Sequence, residues 1–319
     1  MYKKHDIVPE KYKVAVLCGG NSSEREVSLD SGNCVYEALK TAGFKTEKLD
    51  PAKREDWVRL LSERFDIVFN TLHGKFGEDG TIQSVLKILG IPYTGSSFYT
   101  CHKSINKNAT KKIYEYAGIP SPKGFAYFVG QKISYEECVN RLGDKFVIKP
   151  ATEGSSVGAH IVRKKEDFKA ALTDSIKYDD ELVIESFIEG REFTVSVLGN
   201  KEAMALPVVE IVSNSEFYDF AAKYEEGGSV HICPAEIPEE LASQMQKAAL
   251  QAHKVLKASG VSRTDILMDN ENSIFALETN IVPGMTNTSL LPDAARQAGL
   301  SYEELCAELV YLGLERAGK

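Results

Sequence analysis

The sequence predicts an α/β protein that begins with an open parallel sheet and continues into a mixed α+β region. Between Val14 and Leu89, short apolar runs typical of strands alternate with helical segments, which is the pattern of a parallel sheet. Ligands of such sheets bind beyond the carboxyl ends of the strands. Pro120 and Pro122 then mark a boundary, and the chain becomes rich in strands beyond Gly190.

The composition is that of an ordinary globular protein. The chain has 319 residues, enough for two or three domains, with 43% hydrophobic and 26% charged residues. A formal net charge of −8 means that the chain has no excess of basic residues to attract a polyanion. We therefore expect neither nucleic acid nor a membrane as partner. Six scattered cysteines without a CxxC pair predict free thiols and a cytoplasmic protein.

In the first region, a strand at residues 14–18 leads into a glycine-rich loop and a helix ending near Gly43. Free N–H groups at such a helix start can bind an anion, but the dinucleotide fingerprint is absent, so the loop is no evidence for NAD. A second loop, from His73 to Gly80, is expected at the same sheet edge. The remaining elements predicted here are strands at 46–49 and 66–70 and helices at 54–64 and 81–89.

A single helix from about Phe98 to Ala117 is predicted to lead into a small α+β unit. The polar segment 213–229 is long for a loop in a compact domain, and such loops are usually functional lids or disordered. The expected strands are 125–128, 145–149, 159–162, 182–187, 192–198 and 203–212, and the helices are 135–142, 165–176, 239–258, 290–298 and 302–314.

The strongest local candidate is a metal site on a hairpin. Two strand-like runs, 264–268 and 273–277, flank a short polar turn. Glu278 and Asn280 are two residues apart and point to one face, and Asp265 lies on the preceding strand. Three such oxygen ligands suit Mg²⁺ held against substrate phosphates. The alternative is a polar strand edge with exposed acids.

Two further stretches are candidates for nucleotide binding. Lys149 opens a glycine- and serine-rich loop that could approach phosphate, although the P-loop order is missing and a plain hairpin turn is the alternative. Glu185 ends a strand, and Phe187 and Ile188 beside it could line an adenine slot. The alternative is a glutamate on an edge strand that faces water.

Several other polar residues could have either a functional role or only a structural or solvated one. Lys223 and Tyr224 lie in the long polar segment and could reach phosphate or substrate, or simply be solvated. His73 is a lone histidine, which is more often structural than catalytic. Glu26 could satisfy a helix dipole, and we expect its neighbour Glu24 to be solvated.

Taken together, six motifs in one order resemble the D-alanine–D-alanine ligases of the ATP-grasp superfamily. Any one motif is weak, but the ordered set is specific and spans the chain from about Val14 to Leu314. The motifs are GGNSSEREVSL from Gly19, LHGKFGEDG from Leu72, EGSSVG from Glu153, FYDFAAKY from Phe217, RTD from Arg263 and ETNIVPGMT from Glu278.

The resemblance implies a three-domain ATP-grasp fold, with an N-terminal domain at 1–106, a central lid domain at 107–190 and a C-terminal domain at 191–319. It implies ATP-dependent joining of two D-alanines through an acyl phosphate, for peptidoglycan precursor synthesis. It also implies Mg²⁺, or Mn²⁺ in its place, and a homodimer.

Residue roles follow from the same resemblance. The implied metal ligands are Asp265, Glu278 and Asn280. The implied phosphate-contacting lysines are Lys107, Lys149 and Lys223. The implied nucleotide contacts are Glu185, Phe187, Ile188, Glu192 and Leu277. The implied oxyanion stabilisers are Arg263 and the N–H of Gly284. The implied contacts of the first substrate and its covering triad are Glu26, His73, Ser155 and Tyr224, and those of the second D-alanine are Ser289 and Leu290.

Alternatives remain within and outside the family. D-Ala–D-Ser and D-Ala–D-lactate ligases share the fold, although Tyr224 and Leu290 resemble the D-alanine type. A nucleotide-binding protein without catalysis is the alternative from another class. Thr264 and Ile281 depart from the usual family residues, which leaves fine substrate preference and nucleotide affinity open.

Overall fold

The computed structural model describes residues 2–213 and 228–319, in which three sheets are joined by helices. This arrangement confirms the predicted α/β class. Lys223, Tyr224 and most of the predicted 213–229 loop lie outside the described residues. Each of the six cysteines is a free thiol. Within the described ranges, no helix is long and apolar enough to cross a membrane.

The first sheet is parallel, as predicted, with strand order β2-β1-β3. Its central strand is almost completely buried, because helices cover both faces of a parallel sheet. A parallel bridge between Val68 and Tyr93 extends the sheet beyond β3. The elements are β1 (Lys13–Leu17), α1 (Arg25–Thr41), β2 (Lys45–Leu49), α2 (Arg54–Ser62), β3 (Ile67–Asn70) and α3 (Thr81–Ile88).

The predicted single helix over 98–117 is wrong, because the chain breaks at Asn106. Two helices meet there, α4 (Phe98–Ile105) and α5 (Lys107–Ala117). Asn106 Oδ1 accepts from the backbone N–H of Ala109 at 2.9 Å, which is an N-cap that starts a new helix. The break places Lys107 at the first position of α5, beside the cavities described below.

The second sheet is antiparallel, with order β4-β7-β5-β6. Its apolar core is made from residues of this region alone, all between Phe125 and Ile184. The elements are β4 (Gly124–Phe128), α6 (Tyr135–Leu142), β5 (Phe146–Pro150), β6 (His160–Val162), α7 (Lys165–Ser175) and β7 (Glu181–Ser186).

The third sheet is antiparallel along β11-β10-β8-β12-β13, with β9 paired to β8. The predicted hairpin is confirmed as β12 and β13. The strands are β8 (Gly190–Leu198), β9 (Met204–Ala205), β10 (Val209–Ser213), β11 (Ser229–Ile232), β12 (Val261–Asp269) and β13 (Ile274–Asn280). The helices are α8 (Glu239–Val255), α9 (Leu290–Gln297) and α10 (Tyr302–Arg316).

One apolar core joins the first sheet to the third. Val14 and Ile67 of the first sheet belong to the same buried cluster as Leu305 and Val310 of α10. The packing is close, since a Cβ at Gly313 would lie 2.7 Å from Ile67 Cδ1. The first and third sheets are therefore one packed body, while the second sheet has a separate core.

Candidate active site

Two cavities meet at the centre of the molecule. The first, of about 430 Å³, lies between the loops of the first sheet and the end of β13. The second, of about 530 Å³, lies between the second and third sheets. Lys107, Glu278 and part of the loop at 151–159, which we call the Gly/Ser loop, line both cavities. A ligand in one cavity is thus separated from a ligand in the other only by these groups.

The β12–β13 hairpin places four polar side chains on one face. Asp265 is paired in register with Glu278, and Arg263 with Asn280. Arg263 donates from Nε and Nη2 to the two oxygens of Asp265 at 2.9 and 2.8 Å. Thr194 Oγ1 donates to Asp265 Oδ1 at 2.6 Å. The predicted convergence of these side chains is therefore present.

A β-bulge in β13 shapes this face. The register steps from Asp265–Glu278 to Ile266–Ala276, which leaves Leu277 as the extra residue. Neighbouring residues of a regular strand point to opposite faces, yet Leu277 and Glu278 both line the second cavity. The bulge brings an apolar and an acidic side chain to the same ligand, which strand periodicity alone does not predict.

The donor set fits a hard divalent cation. Asp265, Glu278 and Asn280 offer only oxygens, and Asp265 Oδ2 accepts from Arg263 while keeping a second lone pair. No group of three His, Cys, Asp or Glu able to hold a metal occurs in the described parts of the chain. Two carboxylates and one amide suit Mg²⁺ that takes its other ligands from phosphate and water.

Two of the lysines that the resemblance implies, Lys107 and Lys149, line the second cavity. Lys107 donates from Nζ to the carbonyl oxygen of Glu153 at 2.6 Å and lies 3.4 Å from Glu278 Oε2. Lys149 lies 2.5 Å from Glu185 Oε1. Burial alone would lower the pKa of Lys149, but the carboxylates of Glu185 and Glu278 outweigh it and raise that pKa. Lys149 is therefore a cation beside the second cavity, which Lys107 also lines.

Glu185 is buried rather than solvated, being only 2% exposed. Its second oxygen lies 2.5 Å from Nζ of Lys111, a residue that sequence reasoning did not single out. Burial would raise the pKa of Glu185, but Lys149 and Lys111 together hold it below its usual range. The other predicted nucleotide contacts also line the second cavity, namely Phe187, Ile188, Glu192 and Leu277.

The placement of Glu26 against Ser155 is wrong. Ser155 Oγ donates instead to Glu24 Oε1 at 2.6 Å, and Glu24 lines the first cavity. Glu26 is exposed in the first turn of α1 and lines neither cavity, because the helix turns it towards solvent. The expectation that Glu24 is solvated is also wrong. Both glutamates lie in one glycine-rich motif, so only the three-dimensional path of the turn distinguishes them.

The Gly/Ser loop has an unusual backbone at this contact. Ser155 and Ser156 have φ values of 49° and 58°, in the left-handed region that non-glycine residues seldom adopt. Such conformations cost about 1–3 kcal/mol each and cluster at ligand-binding positions. The strained pair lies where the loop reaches Glu24 and borders both cavities.

A second contact to the Gly/Ser loop comes from the loop after β3. Lys75 Nζ lies 2.5 Å from Glu153 Oε1, a pair that no sequence motif indicates. In the same loop, buried His73 contacts Glu78 at 3.1 Å through Nδ1 and Ser31 at 3.3 Å through Nε2. His73 lines the first cavity.

The segment after β13 completes the first cavity with Gly284, Ser289 and Leu290. A Cβ at Gly284 would lie 2.8 Å from Ser289 Oγ, so only glycine fits without displacing that side chain. Ile281 is 4% exposed and packs with Cys101 and Ala258. Ile281, which departs from the usual family residue, thus anchors the segment after β13 in a small apolar cluster.

Thr264, which also departs from the usual family residue, has a hydrogen-bonding partner. Thr264 Oγ1 lies 2.9 Å from Thr279 Oγ1, which lies 2.5 Å from the hydroxyl of Tyr114. All three are buried. This chain of hydroxyls joins α5 to the hairpin at Thr279, which itself lines the first cavity, so Thr264 and Tyr114 hold a residue of the cavity wall in place.

The arrangement suits transfer of phosphate from a nucleotide to an anionic substrate. A lysine-lined cavity with an apolar wall, enclosed between two antiparallel sheets, opens onto a smaller polar cavity through Lys107 and Glu278. This fold and site define an ATP-grasp ligase.

Comparison with known proteins narrows the class. Family models described as D-ala D-ala ligase C-terminus and N-terminus match residues 105–311 and 59–96. A D-alanine--D-alanine ligase from Pelotomaculum thermopropionicum is 44% identical over 313 residues, covering 96% of this chain and 98% of that protein. One from Carboxydothermus hydrogenoformans is 42% identical over 95% of this chain and 98% of its own length. The chain belongs to the D-alanine–D-alanine ligase family.

A solved structure agrees with this assignment. The D-alanine--D-alanine ligase from Bacillus anthracis complexed with ATP superposes with a TM-score of 0.84 at 31% identity. The match covers 96% of this chain and 99% of that one. Family and fold are thus supported over nearly the whole sequence.

Proposed function

We propose that this enzyme joins two D-alanines into D-alanyl-D-alanine at the expense of ATP, through an acyl phosphate, and so supplies a peptidoglycan precursor. Family membership supports the reaction. The observation that carries the mechanism is the wall of Lys107 and Glu278 shared by the two cavities. With ATP in the second cavity and D-alanine in the first, the γ-phosphate and the substrate carboxylate meet at that wall.

In the first step, a carboxylate oxygen of D-alanine attacks the γ-phosphorus, and ADP leaves. Lys107 and Lys149 neutralise phosphate charge, which lets two anions approach. Phe187, Ile188 and Leu277 are our candidates for apolar contact with the base, and Glu192, which lines the same cavity, is our candidate for the ribose contact. Asp265, Glu278 and Asn280 would hold Mg²⁺, which when bound adds further positive charge at the phosphates.

In the second step, the amine of the second D-alanine attacks the acyl carbon, loses a proton, and inorganic phosphate leaves. Arg263 and the N–H of Gly284 border the first cavity and are our candidates for stabilising the oxyanion. Glu24, rather than Glu26, is our candidate for holding the ammonium of the first D-alanine. The contact of Glu24 with Ser155 also draws the Gly/Ser loop over the reactants, which protects the acyl phosphate from water.

The second D-alanine is assigned to the end of the first cavity, beside Ser289 and Leu290. Leu290 is 3% exposed and offers an apolar contact to a methyl side chain. A panel of second substrates tests this assignment by measuring ADP release with D-alanine, D-serine and D-lactate. D-Alanine should be consumed with the highest kcat/KM. Preference for D-serine or D-lactate would instead support a D-Ala–D-Ser or a D-Ala–D-lactate ligase.

The metal assignment is tested by Glu278→Gln, with Glu271→Gln as the matched control. Glu271 is exposed in the turn of the same hairpin and lines neither cavity. We expect Glu278→Gln to lower kcat by roughly a hundredfold or more, since one charged phosphate or metal contact is worth several kcal/mol. Circular dichroism should show an intact fold in both variants. Normal turnover in Glu278→Gln would refute the assignment, and ATP binding without turnover in the unmodified protein would favour a non-catalytic nucleotide-binding role.

Assembly and location extend the proposal. We assign the domains to 1–106, 107–190 and 191–319, and the three sheets fall into these ranges to within one residue.

A homodimer is supported by exposed apolar side chains on α3 and α4, among them Ile88, which is 84% exposed, and Tyr99. Sedimentation velocity measures the state directly. Six free thiols suit the cytoplasm, where ATP is supplied.

A further inference from the structure

Met285, the residue after the proposed oxyanion donor Gly284, is held on both sides by side chains that line neither cavity. The backbone N–H of Met285 donates to Ser31 Oγ, on α1, at 3.3 Å. The carbonyl oxygen of Met285 accepts from the hydroxyl of Tyr302, at the start of α10, at 2.5 Å. Neither Ser31 nor Tyr302 belongs to the walls of the two cavities. Two helices therefore fix the two backbone polar groups of one residue.

These contacts matter because the backbone of Met285 lies in the interior. The side chain of Met285 is 3% exposed and belongs to the apolar core that the first and third sheets share. A buried N–H or carbonyl group without a partner costs about as much free energy as a lost hydrogen bond. The hydroxyls of Ser31 and Tyr302 thus determine the direction in which the Met285 backbone lies.

The direction of Met285 in turn limits that of Gly284. The N–H of Met285 and the carbonyl of Gly284 belong to one planar peptide unit, so fixing the first fixes the second. Pro283 restricts the chain on the other side, because its ring holds φ near one value. Gly284 has no side chain to hold it, and a Cβ there would lie 2.8 Å from Ser289 Oγ. Its N–H is therefore directed by its neighbours.

The hydroxyl of Ser31 is itself oriented by a second contact. Ser31 is fully buried, and its Oγ lies 3.3 Å from His73 Nε2. Because Oγ accepts from Met285, its own hydrogen can be donated to Nε2. The proton of His73 then lies on Nδ1, which contacts Glu78 Oε1 at 3.1 Å. This chain of hydrogen bonds connects the loop after β3 to the segment after β13.

The hydroxyl of Tyr302 has a comparable support. It also forms a hydrogen bond with Cys306, a fully buried residue one turn further along α10. Burial raises the pKa of Tyr302, so the hydroxyl keeps its proton at neutral pH. Tyr302 is therefore a constant hydrogen-bond donor to the carbonyl of Met285.

We propose that Ser31 and Tyr302 are positioning residues for the oxyanion site. By holding the backbone of Met285, they keep the N–H of Gly284 directed at the oxygen that becomes negative when the amine attacks the acyl carbon. A donor that is fixed before the reaction stabilises this charge without having to reorganise. This inference rests on the proposed function, in which the N–H of Gly284 stabilises the oxyanion.

The test compares Tyr302→Phe and Ser31→Ala, with Tyr36→Phe as the matched control. Tyr36, on α1, packs against the same apolar core. We expect kcat to fall roughly three- to tenfold in Tyr302→Phe and roughly ten- to hundredfold in Ser31→Ala, because a misdirected donor weakens only the transition state. The KM for D-alanine and the directly measured ATP affinity should stay within about twofold. Tyr36→Phe should leave all three quantities unchanged.

An analogue of the tetrahedral intermediate separates positioning from a general loss of structure. A phosphinate analogue of D-alanyl-D-alanine places a charged oxygen where the oxyanion develops. Its inhibition constant should rise by about the same factor by which kcat falls. In the double variant Ser31→Ala/Tyr302→Phe, the loss of kcat should be smaller than the product of the two single losses, because both side chains act through one residue.

Three results overturn the inference: an unchanged kcat in either single variant, a lowered kcat with full affinity for the phosphinate, or losses that multiply in the double variant. If Ser31→Ala does not fold, Tyr302→Phe decides the question alone, because it removes a single hydroxyl and keeps the ring. Failure of the proposed ligation would appear separately, as an unmodified protein that binds ATP without consuming D-alanine.

Discussion

The first and second sheets are both small, but they are held in the molecule in different ways. The first sheet shares its apolar core with α10 and the third sheet. The second sheet packs a core of its own, with members such as Phe146 and Ile184. It meets the first sheet's loops through polar contacts at the Gly/Ser loop, where Ser155 pairs with Glu24 and Lys75 with Glu153.

The difference assigns separate mechanical roles to the two regions. A shared close-packed core resists relative movement, so the first and third sheets hold their own walls of the first cavity in a fixed shape. A separate core linked by polar contacts permits a rigid-body shift. We therefore expect the parts of both cavities that the second sheet and its Gly/Ser loop contribute to move when nucleotide binds, while the walls from the first and third sheets stay in place.

The largest effects should come from one fully buried residue in each core. Leu305→Ala removes shared-core contacts and should cost about 2–5 kcal/mol, and Phe146→Ala in the second sheet should cost about 3–5 kcal/mol. Hydrogen exchange followed by mass spectrometry separates the two cases. Leu305→Ala should speed exchange in β1 and in β12 together, whereas Phe146→Ala should speed it only between 124 and 186. Faster exchange of β1 in Phe146→Ala would contradict the separation of the cores.

The next effect concerns the contact between the regions. Glu24→Gln should lower kcat/KM for D-alanine by roughly ten- to hundredfold, because a misplaced substrate and an open loop both reduce rate. Glu26→Gln, at the exposed position on α1, should stay within about twofold. Steady-state kinetics of the two variants decide the assignment, and equal damage from Glu26→Gln would restore the role first given to that residue.

A smaller effect is the acid sensitivity of the first sheet. Burial would raise the pKa of Asp50, but the ion pair with Arg25 and N–H groups of Gly20 and Ala52 lower it from 3.8 to about 2. A lowered pKa stabilises the fold above the unfolded value, and that stability is lost as pH falls from about 4 towards 2. The contribution at neutral pH is about 2 kcal/mol. Urea unfolding of Asp50→Asn should show this loss at pH 7, and an unchanged pH dependence would refute it; exposed Asp30→Asn is the control.

The smallest effect belongs to Lys75, which is 61% exposed in its pair with Glu153. Lys75→Met should cost less than about 1 kcal/mol of stability, since exposed ion pairs contribute little. Its effect on kcat/KM should be a few-fold at low salt and should vanish near 0.5 M salt, where the screening length is about 4 Å. An effect that persists at high salt would mean that Lys75 contacts the substrate directly.

Much of the fold follows from sequence periodicity. The parallel alternation before residue 89, the β12–β13 hairpin and the pairing of Asp265 with Glu278 were all predictable, because strand period and turn chemistry are local properties. The helix break at Asn106 was missed, because a helical pattern of apolar residues continues on both sides of it. Only the side chain of Asn106, which caps α5, marks the end of α4.

Features of the site that depend on the three-dimensional path of the backbone were not predictable from the sequence. Glu24 and Glu26 are equivalent in composition, and the fold alone brings Glu24 to Ser155. The bulge at Leu277 changes which face a side chain occupies without any marker such as glycine. Lys111 carries no signal in the sequence, because its burial against Glu185 depends on a strand about seventy residues away in the chain.

The wall shared by the two cavities has a consequence for inhibitor design. A single compound that fills both cavities would pass beside Lys107 and Glu278 and contact the Gly/Ser loop. A substitution at that constriction that excludes the compound would also remove groups to which we assign roles in the reaction. Compounds that bridge the constriction should therefore select for resistance less readily than compounds confined to the nucleotide side, where peripheral apolar positions such as Val212 can vary at lower cost.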